Sequence, residues 1–204
     1  PLSHLKQLEF LTLWGNPIDD EAAPYLSGFP NLRELAAGNS KIGNKGLAAI
    51  AANKRLRELR MGGSQVGDDG LRYLKELPEL EVLQLETTRI TDAGMVHLGQ
   101  LRGLKHLHLN NNKISDRGVA CLASLGELKG LHIFSTEVTG IAFRDFPASN
   151  KLEEVFMTGS PTSDDGAACI LALPRIKSVM LGSPALSSEG LMKINWPRQL
   201  EGIG

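Results

Sequence analysis

Residues 80–103 read LEVLQLETTRITDAGMVHLGQLRG, and this stretch decides the fold. The alternation Leu83-Gln84-Leu85 predicts a short strand whose leucines point one way while Val82, Gln84 and Glu86 point the other. Thr88 and Ile90 turn the chain, with Ile90 plugging the apolar side and the Thr88 hydroxyl free to serve bare backbone groups. Thr91-Asp92 then offers side-chain oxygens to the unpaired N–H groups of a helix start, and Met95, Leu98 and Leu101 follow at helical spacing. A strand, a turn and a short helix cannot enclose a core by themselves. Such a unit is stable only when it is stacked on others like it.

The rest of the chain supplies those others. The frame L-x-x-L-x-L-x-x-[N/S/T]-x-[I/V] begins, with few exceptions, at Leu8, Leu32, Leu56, Leu80, Leu104, Leu128, Leu152 and Ile176, and starts again at Leu200. Eight in-phase copies of 24 residues predict an α/β solenoid with a core shaped as a column. Its strand-to-strand crossovers should be right-handed, giving a horseshoe with a parallel sheet on the concave side and helices on the convex side. Residues 1–204 then form a single domain. Residues 1–7 read as the end of a preceding unit, because their pattern matches Tyr73–Glu79, and 200–204 as a partial ninth. A segment upstream of residue 1 is therefore expected.

Composition limits the function classes. With 42% hydrophobic, 22% charged and 5% aromatic residues the chain is that of a folded protein. Twenty-two basic against 23 acidic residues leave a formal charge of -1, which speaks against nucleic acid or an anionic membrane as partner. No run approaches the roughly 18 to 20 apolar residues of a membrane-spanning helix. The two cysteines, Cys121 and Cys169, hold the same position two units apart, about 20 Å if helices stack at about 10 Å, so both are expected free. Free thiols favour a cytoplasmic setting, although the truncated opening also allows a secreted effector or a cell-envelope protein. A monomer is expected.

Two further slots recur. Asp20, Asp68, Asp92, Asp116 and Asp164, with Asn44 and Ser188 as equivalents, read as caps, each on its own helix. Their separation by whole units argues against a calcium array. Two residues later stands Ala22, Gly46, Gly70, Gly94, Gly118, Ala142, Gly166 or Gly190, which predicts a close approach that leaves no room for a larger side chain. Thr139–Pro147 lacks the capping acid and carries Phe143 and Phe146, so a bend or bulged helix is expected in the sixth unit. Trp196-Pro197 is expected to close the array, with Trp196 covering its last core residues.

The stretches Thr91-Asp92-Ala93-Gly94-Met95 and Ser115-Asp116-Arg117-Gly118-Val119, set in this frame, resemble the leucine-rich repeat family in its short-helix, T-D-x-G-L variety. Within it the chain is most similar to bacterial 24-residue arrays and GALA-type effectors of plant pathogens, and more distantly to the repeats of F-box proteins. The Gly-Ala-Leu-Ala run is only approximated, by Gly46-Leu47-Ala48-Ala49 and Gly166-Ala167-Ala168-Cys169, and no F-box is present in this sequence, so no ubiquitin-linked role is implied. The resemblance implies a horseshoe that grips another macromolecule on its inner sheet.

Strand phase then places a candidate contact surface on that sheet: Phe10, Trp14, Arg60, Glu86, His106, His108, His132, Phe134 and Phe156. Aromatic groups facing water on a rigid scaffold are typical interface anchors. The leading expectation is a noncatalytic module for protein–protein interaction, with a protein partner, no cofactor and no catalytic residues. Neither a Ser/His/Asp constellation nor H-E-x-x-H occurs. One alternative is a zinc site, since His106 and His108 share a strand face with His132 beside them, and Glu154 or Asn110 could complete the set. Another is that the repeats target or space a larger enzyme or effector. Charges at the second position of each unit, including Arg57, Glu81, Lys105, Lys129, Glu153 and Lys177, predict lateral pairs along the rim.

Overall fold

A computed structural model describes residues 5–203, so the expectation for the opening segment falls largely outside the described residues. Nine strands lie in one parallel sheet in chain order: β1 (Phe10–Thr12), β2 (Glu34–Ala36), β3 (Glu58–Arg60), β4 (Val82–Gln84), β5 (His106–His108), β6 (Gly130–His132), β7 (Glu154–Phe156), β8 (Ser178–Met180) and β9 (Gly202–Ile203). Every pairing has an offset of one unit, as in Val82↔His106 and His108↔His132. The opposite wall holds α1 (Asn44–Ile50), α2 (Asp68–Leu71), α3 (Asp92–Leu98), α4 (Asp116–Ala120), α5 (Asp164–Leu171) and α6 (Ser188–Lys193). In the first and sixth units 3-10 turns, Ala23–Gly28 and Ile141–Asp145, take the helix's place. This is an α/β solenoid.

Its spine follows the predicted phase. Leu35, Leu59, Leu83, Leu107, Leu131, Val155 and Val179 are sealed between sheet and helices, and Leu32, Leu56, Leu80, Leu104, Leu128, Leu152 and Ile176 form a second sealed file beside them. A one-residue slip would turn both files to water at once, which is why register is so firmly set. Thr88 behaves as expected: its hydroxyl donates to the Leu85 carbonyl at 2.8 Å. Asn112 extends this inner ladder by donating to the carbonyls of Leu85 and Leu109 at 2.8 and 3.0 Å. Both cysteines are free.

The helix-start acids do something other than cap their own helices. In α3 the cap is Thr91, whose hydroxyl accepts from Ala93 N–H, and in α4 it is Ser115, accepting from Arg117 N–H. The acid, one residue on, instead reaches the next unit. Asp68 accepts from the Thr91 N–H at 2.8 Å and its hydroxyl at 2.7 Å. Asp92 accepts from Ser115 in the same way at 2.8 and 2.6 Å, and Asp116 from Thr139 at 2.9 and 2.7 Å. Asp164 repeats the contact with Ser187, and Asn44 accepts from the Gly67 N–H at 2.8 Å. The reason is geometric: the first helical residue projects sideways, along the stack, where the neighbour's unpaired N–H groups wait.

This also explains the small residue two positions later. A Cβ built on Gly46 or Gly70 would meet Asp20 Oδ1 or Asn44 Oδ1 at 2.6 Å, and one on Gly94, Gly118 or Gly190 would collide with Asp68, Asp92 or Asp164. The glycine is a seat for the previous unit's carboxylate. At the sixth unit the acid is missing and Gly140, at φ +93°, occupies its place in a left-handed conformation. The Ser163 N–H there bonds the Thr139 backbone carbonyl at 3.1 Å, and Gly166 must stay bare because a Cβ would overlap that carbonyl. The expected irregularity is thus a single 3-10 turn with Phe143 buried and Phe146 leaning on it, ring centroids 5.0 Å apart.

The expectation for Trp196 fails. Helix α6 ends at Lys193 and the chain leaves it extended at Ile194, so Trp196 lies beyond the helical phase and stays 41% exposed. Ile194 and Leu200 pack against the core there instead. A feature the sequence reading overlooked is a left-handed column just after the strands: Gly15, Asn39, Gly63, Thr87, Asn111, Ser135 and Gly159 all have φ between +50° and +78°. The recurrence of Gly and Asn in that slot was its signal.

Two stability outcomes follow. Asp92→Ala should lower unfolding free energy by about 2 kcal/mol, because it strips a charged acceptor from two Ser115 donors. Thr87→Asn should raise it by about 0.5 to 1 kcal/mol, since a β-branched residue at φ +54° is strained where Asn is tolerated. Urea denaturation midpoints check both.

Candidate functional site

Side chains at the third, fifth and seventh positions of each unit stand on the sheet face away from the core, on the concave side. All nine candidate contacts lie there, and none is buried. At the N-terminal end Phe10 and Trp14 are 48% and 44% exposed, and the Trp14 ring lies across Gly38, whose Cβ would sit 2.7 Å from Trp14 Cε3. Arg60 turns back on its own strand to bond Glu58, with Nε and Nη2 at 2.6 and 2.5 Å from Oε1. Ala36 shares this face but is covered.

Glycines act as notches here too. Glu86 leans over Gly62, where a Cβ would come within 2.7 Å of its Cδ and 2.9 Å of its Oε1, and Glu86 Oε2 is buried with no hydrogen-bond partner. His106 leans over Gly130, where a Cβ would lie 2.7 Å from Nδ1 and 3.3 Å from Glu154 Oε2. The sequence reading listed the large side chains on this face but missed the bare positions that let them lie flat. Glycine in a slot that elsewhere holds a large residue was the available signal.

Beside the second notch is an aromatic stack. His108, His132 and Phe156 occupy the same register position on β5, β6 and β7. The His108 and His132 rings are stacked with centroids 4.1 Å apart and planes 26° apart, and His132 and Phe156 follow at 4.6 Å. Phe134 closes the group, 6.0 Å from His132 and 6.3 Å from Phe156. Parallel strands about 4.8 Å apart bring planar side chains naturally into this arrangement. Asn110 braces it by accepting from the Phe134 N–H at 2.9 Å.

Stacking changes the chemistry of the imidazoles. Burial lowers the pKa of His132 to about 4, reinforced by His108 and His106 beside it. His108 is also lowered, chiefly by burial and further by His106, against an opposing pull from Glu86, Glu58 and Glu154. Both are neutral at pH 7. No zinc site appears: the His108 and His132 rings are stacked on each other, and no group of three His, Cys, Asp or Glu among the described residues is arranged to hold a metal.

A family model described as "Leucine Rich repeat" matches residues 52–75 and 101–123. These segments fall in the units whose strand, left-handed turn and acid-to-glycine seat are described above. Two of the units thus match the leucine-rich repeat model, and the others repeat their 24-residue frame. Its fold is similar to that of an internalin, inlF, from Listeria monocytogenes, with a TM-score of 0.80 and 19% identity over 100% of this chain and 56% of that one. It is also similar to internalin C2 of the same organism, with a TM-score of 0.75 and 21% identity over 98% of this chain and 81% of that one. The chain thus spans little more than half of the first of those proteins. No curated protein matches the sequence.

Along the rim of the solenoid the predicted lateral pairs form in part. Lys105–Glu81 and Lys177–Glu153 close at 2.9 and 2.8 Å, whereas Arg57 reaches Glu79 at 3.0 Å rather than Glu81, and Glu153 chooses Lys177 over Lys129. No helix among the described residues is long and apolar enough to cross a membrane.

The depressed histidine gives a pH dependence with a defined sign. Unfolded His132 takes up a proton near pH 6.5, while the folded residue resists until about 4. Stability should hold above pH 6.5 and fall as pH drops from 6.5 to about 4, because the unfolded state binds more protons in that window. His132→Phe should flatten this slope, as read by denaturation at stepped pH, and an NMR titration of the His132 ring should show a midpoint near 4.

Proposed function

We propose that this leucine-rich repeat is a noncatalytic module that binds a protein partner on its concave sheet, with Phe10, Trp14, Arg60, Glu86, His106, His108, His132, Phe134 and Phe156 as its contacts. The observation that carries the reading is the ordered group of His108, His132, Phe134 and Phe156, half-buried against one another on a face that the solenoid itself does not need to cover. Three flat rings on adjoining strands are held in place before any partner arrives, so little conformational entropy is lost on contact. The fold contributes rigidity; the varied residues contribute selectivity.

The test is partner capture from the native source. Phe134→Ala and Phe156→Ala should each weaken capture about tenfold or more, as expected for aromatic anchors, while circular dichroism still reports a folded solenoid. Capture equal to that of the parent protein by both folded variants would remove this surface from the function.

A further inference from the structure

The concave face is not electrically balanced, although the whole chain is nearly so. Its described charged groups are Glu34, Glu58, Glu86, Glu154 and Arg60, and Arg60 is taken by Glu58. Among the described residues Glu34, Glu86 and Glu154 make no ion pair. The rim differs sharply: there Glu9, Glu81 and Glu153 each have a basic partner on the neighbouring unit. The solenoid therefore has the means to pair its lateral charges, yet the sheet face retains carboxylates without counterions.

Two of these carboxylates flank the aromatic stack. Glu86 is at the seventh position of the fourth unit and Glu154 at the third position of the seventh, about 14 Å across three strand spacings and about 13 Å along the strands, so roughly 19 Å apart on a diagonal that crosses the rings of His108, His132 and Phe156 on β5 to β7. Glu86 Oε2 is withdrawn from water without any donor, a costly state for a carboxylate oxygen that an incoming ammonium or guanidinium group would relieve. The neutral imidazoles would not repel such a cation, and ring faces accept both the charge and the methylene stem of lysine or arginine.

Resting on the protein-binding reading above, we infer that the partner presents a basic segment, in which lysine or arginine side chains sit on either side of an apolar or aromatic residue. The apolar residue meets the His108–His132–Phe156 stack; the cations meet Glu86 and Glu154. An acidic or neutral apolar segment would leave both carboxylates unpaired and bind less well.

The experiment is selection from a random 12-residue peptide library on the immobilised intact chain, in parallel with the Glu86→Gln/Glu154→Gln double variant. Gln keeps the shape of Glu, and thermal unfolding verifies that the variant is folded. On the parent, enriched peptides should carry at least twice the library's share of Lys and Arg, beside aromatic or aliphatic residues. On the variant that excess should vanish, and a synthetic copy of the best parent peptide should bind it about tenfold more weakly by calorimetry. Enrichment of acidic or neutral peptides, a basic excess that survives in the variant, or no enrichment on the parent would overturn the inference. If neutral apolar peptides are enriched and lost with Phe156→Ala, the binding surface stands and only its charge preference falls.

Discussion

Neighbouring strands pair at an offset of 24 residues through the whole sheet, so each side chain stands beside the residue that holds its own slot in the next unit. That lateral constraint shapes everything else. A unit can complete its core, its helix start or its surface only with what the adjoining unit offers in the same slot. Leucine beside leucine gives a sealed column, and acid beside an unpaired helix start gives a bonded seam. Ring beside ring gives a stack.

The acid-to-glycine seat shows how such a constraint becomes specific. A carboxylate at the first helical residue satisfies donors of the next unit, and this is possible only because that unit leaves a bare Cα for it to rest on. The two slots are therefore one interaction written across the seam. Where Gly140 replaces the acid, the backbone carbonyl of Thr139 takes over the bond and the helix tightens to a 3-10 turn. The array absorbs this fault without interrupting the sheet, since β6 and β7 keep the common register.

The same logic produces the proposed binding face. Glycines at Gly38, Gly62 and Gly130 let Trp14, Glu86 and His106 lie across the sheet rather than stand away from it. At the fifth position, filled on successive strands by His108, His132 and Phe156, the rings instead press against one another, and their burial lowers the basicity of the imidazoles. Binding anchors and suppressed charge are consequences of one packing arrangement.

The sequence by itself determined the period, the strand positions, the inward files of leucine and the identity of the residues left on the opposite face, because period-two alternation and a fixed repeat leave one self-consistent phase. It also marked the sixth unit as irregular. Only the tertiary structure decided which groups those side chains meet: that Asp68 serves Thr91 rather than its own helix, that Trp196 stays outside, and that His108 and His132 stack instead of converging. The physical reason is that periodicity fixes the direction of each Cα–Cβ bond, whereas the path of the side chain beyond it depends on space left by the unit alongside. That space exists only once the units are stacked.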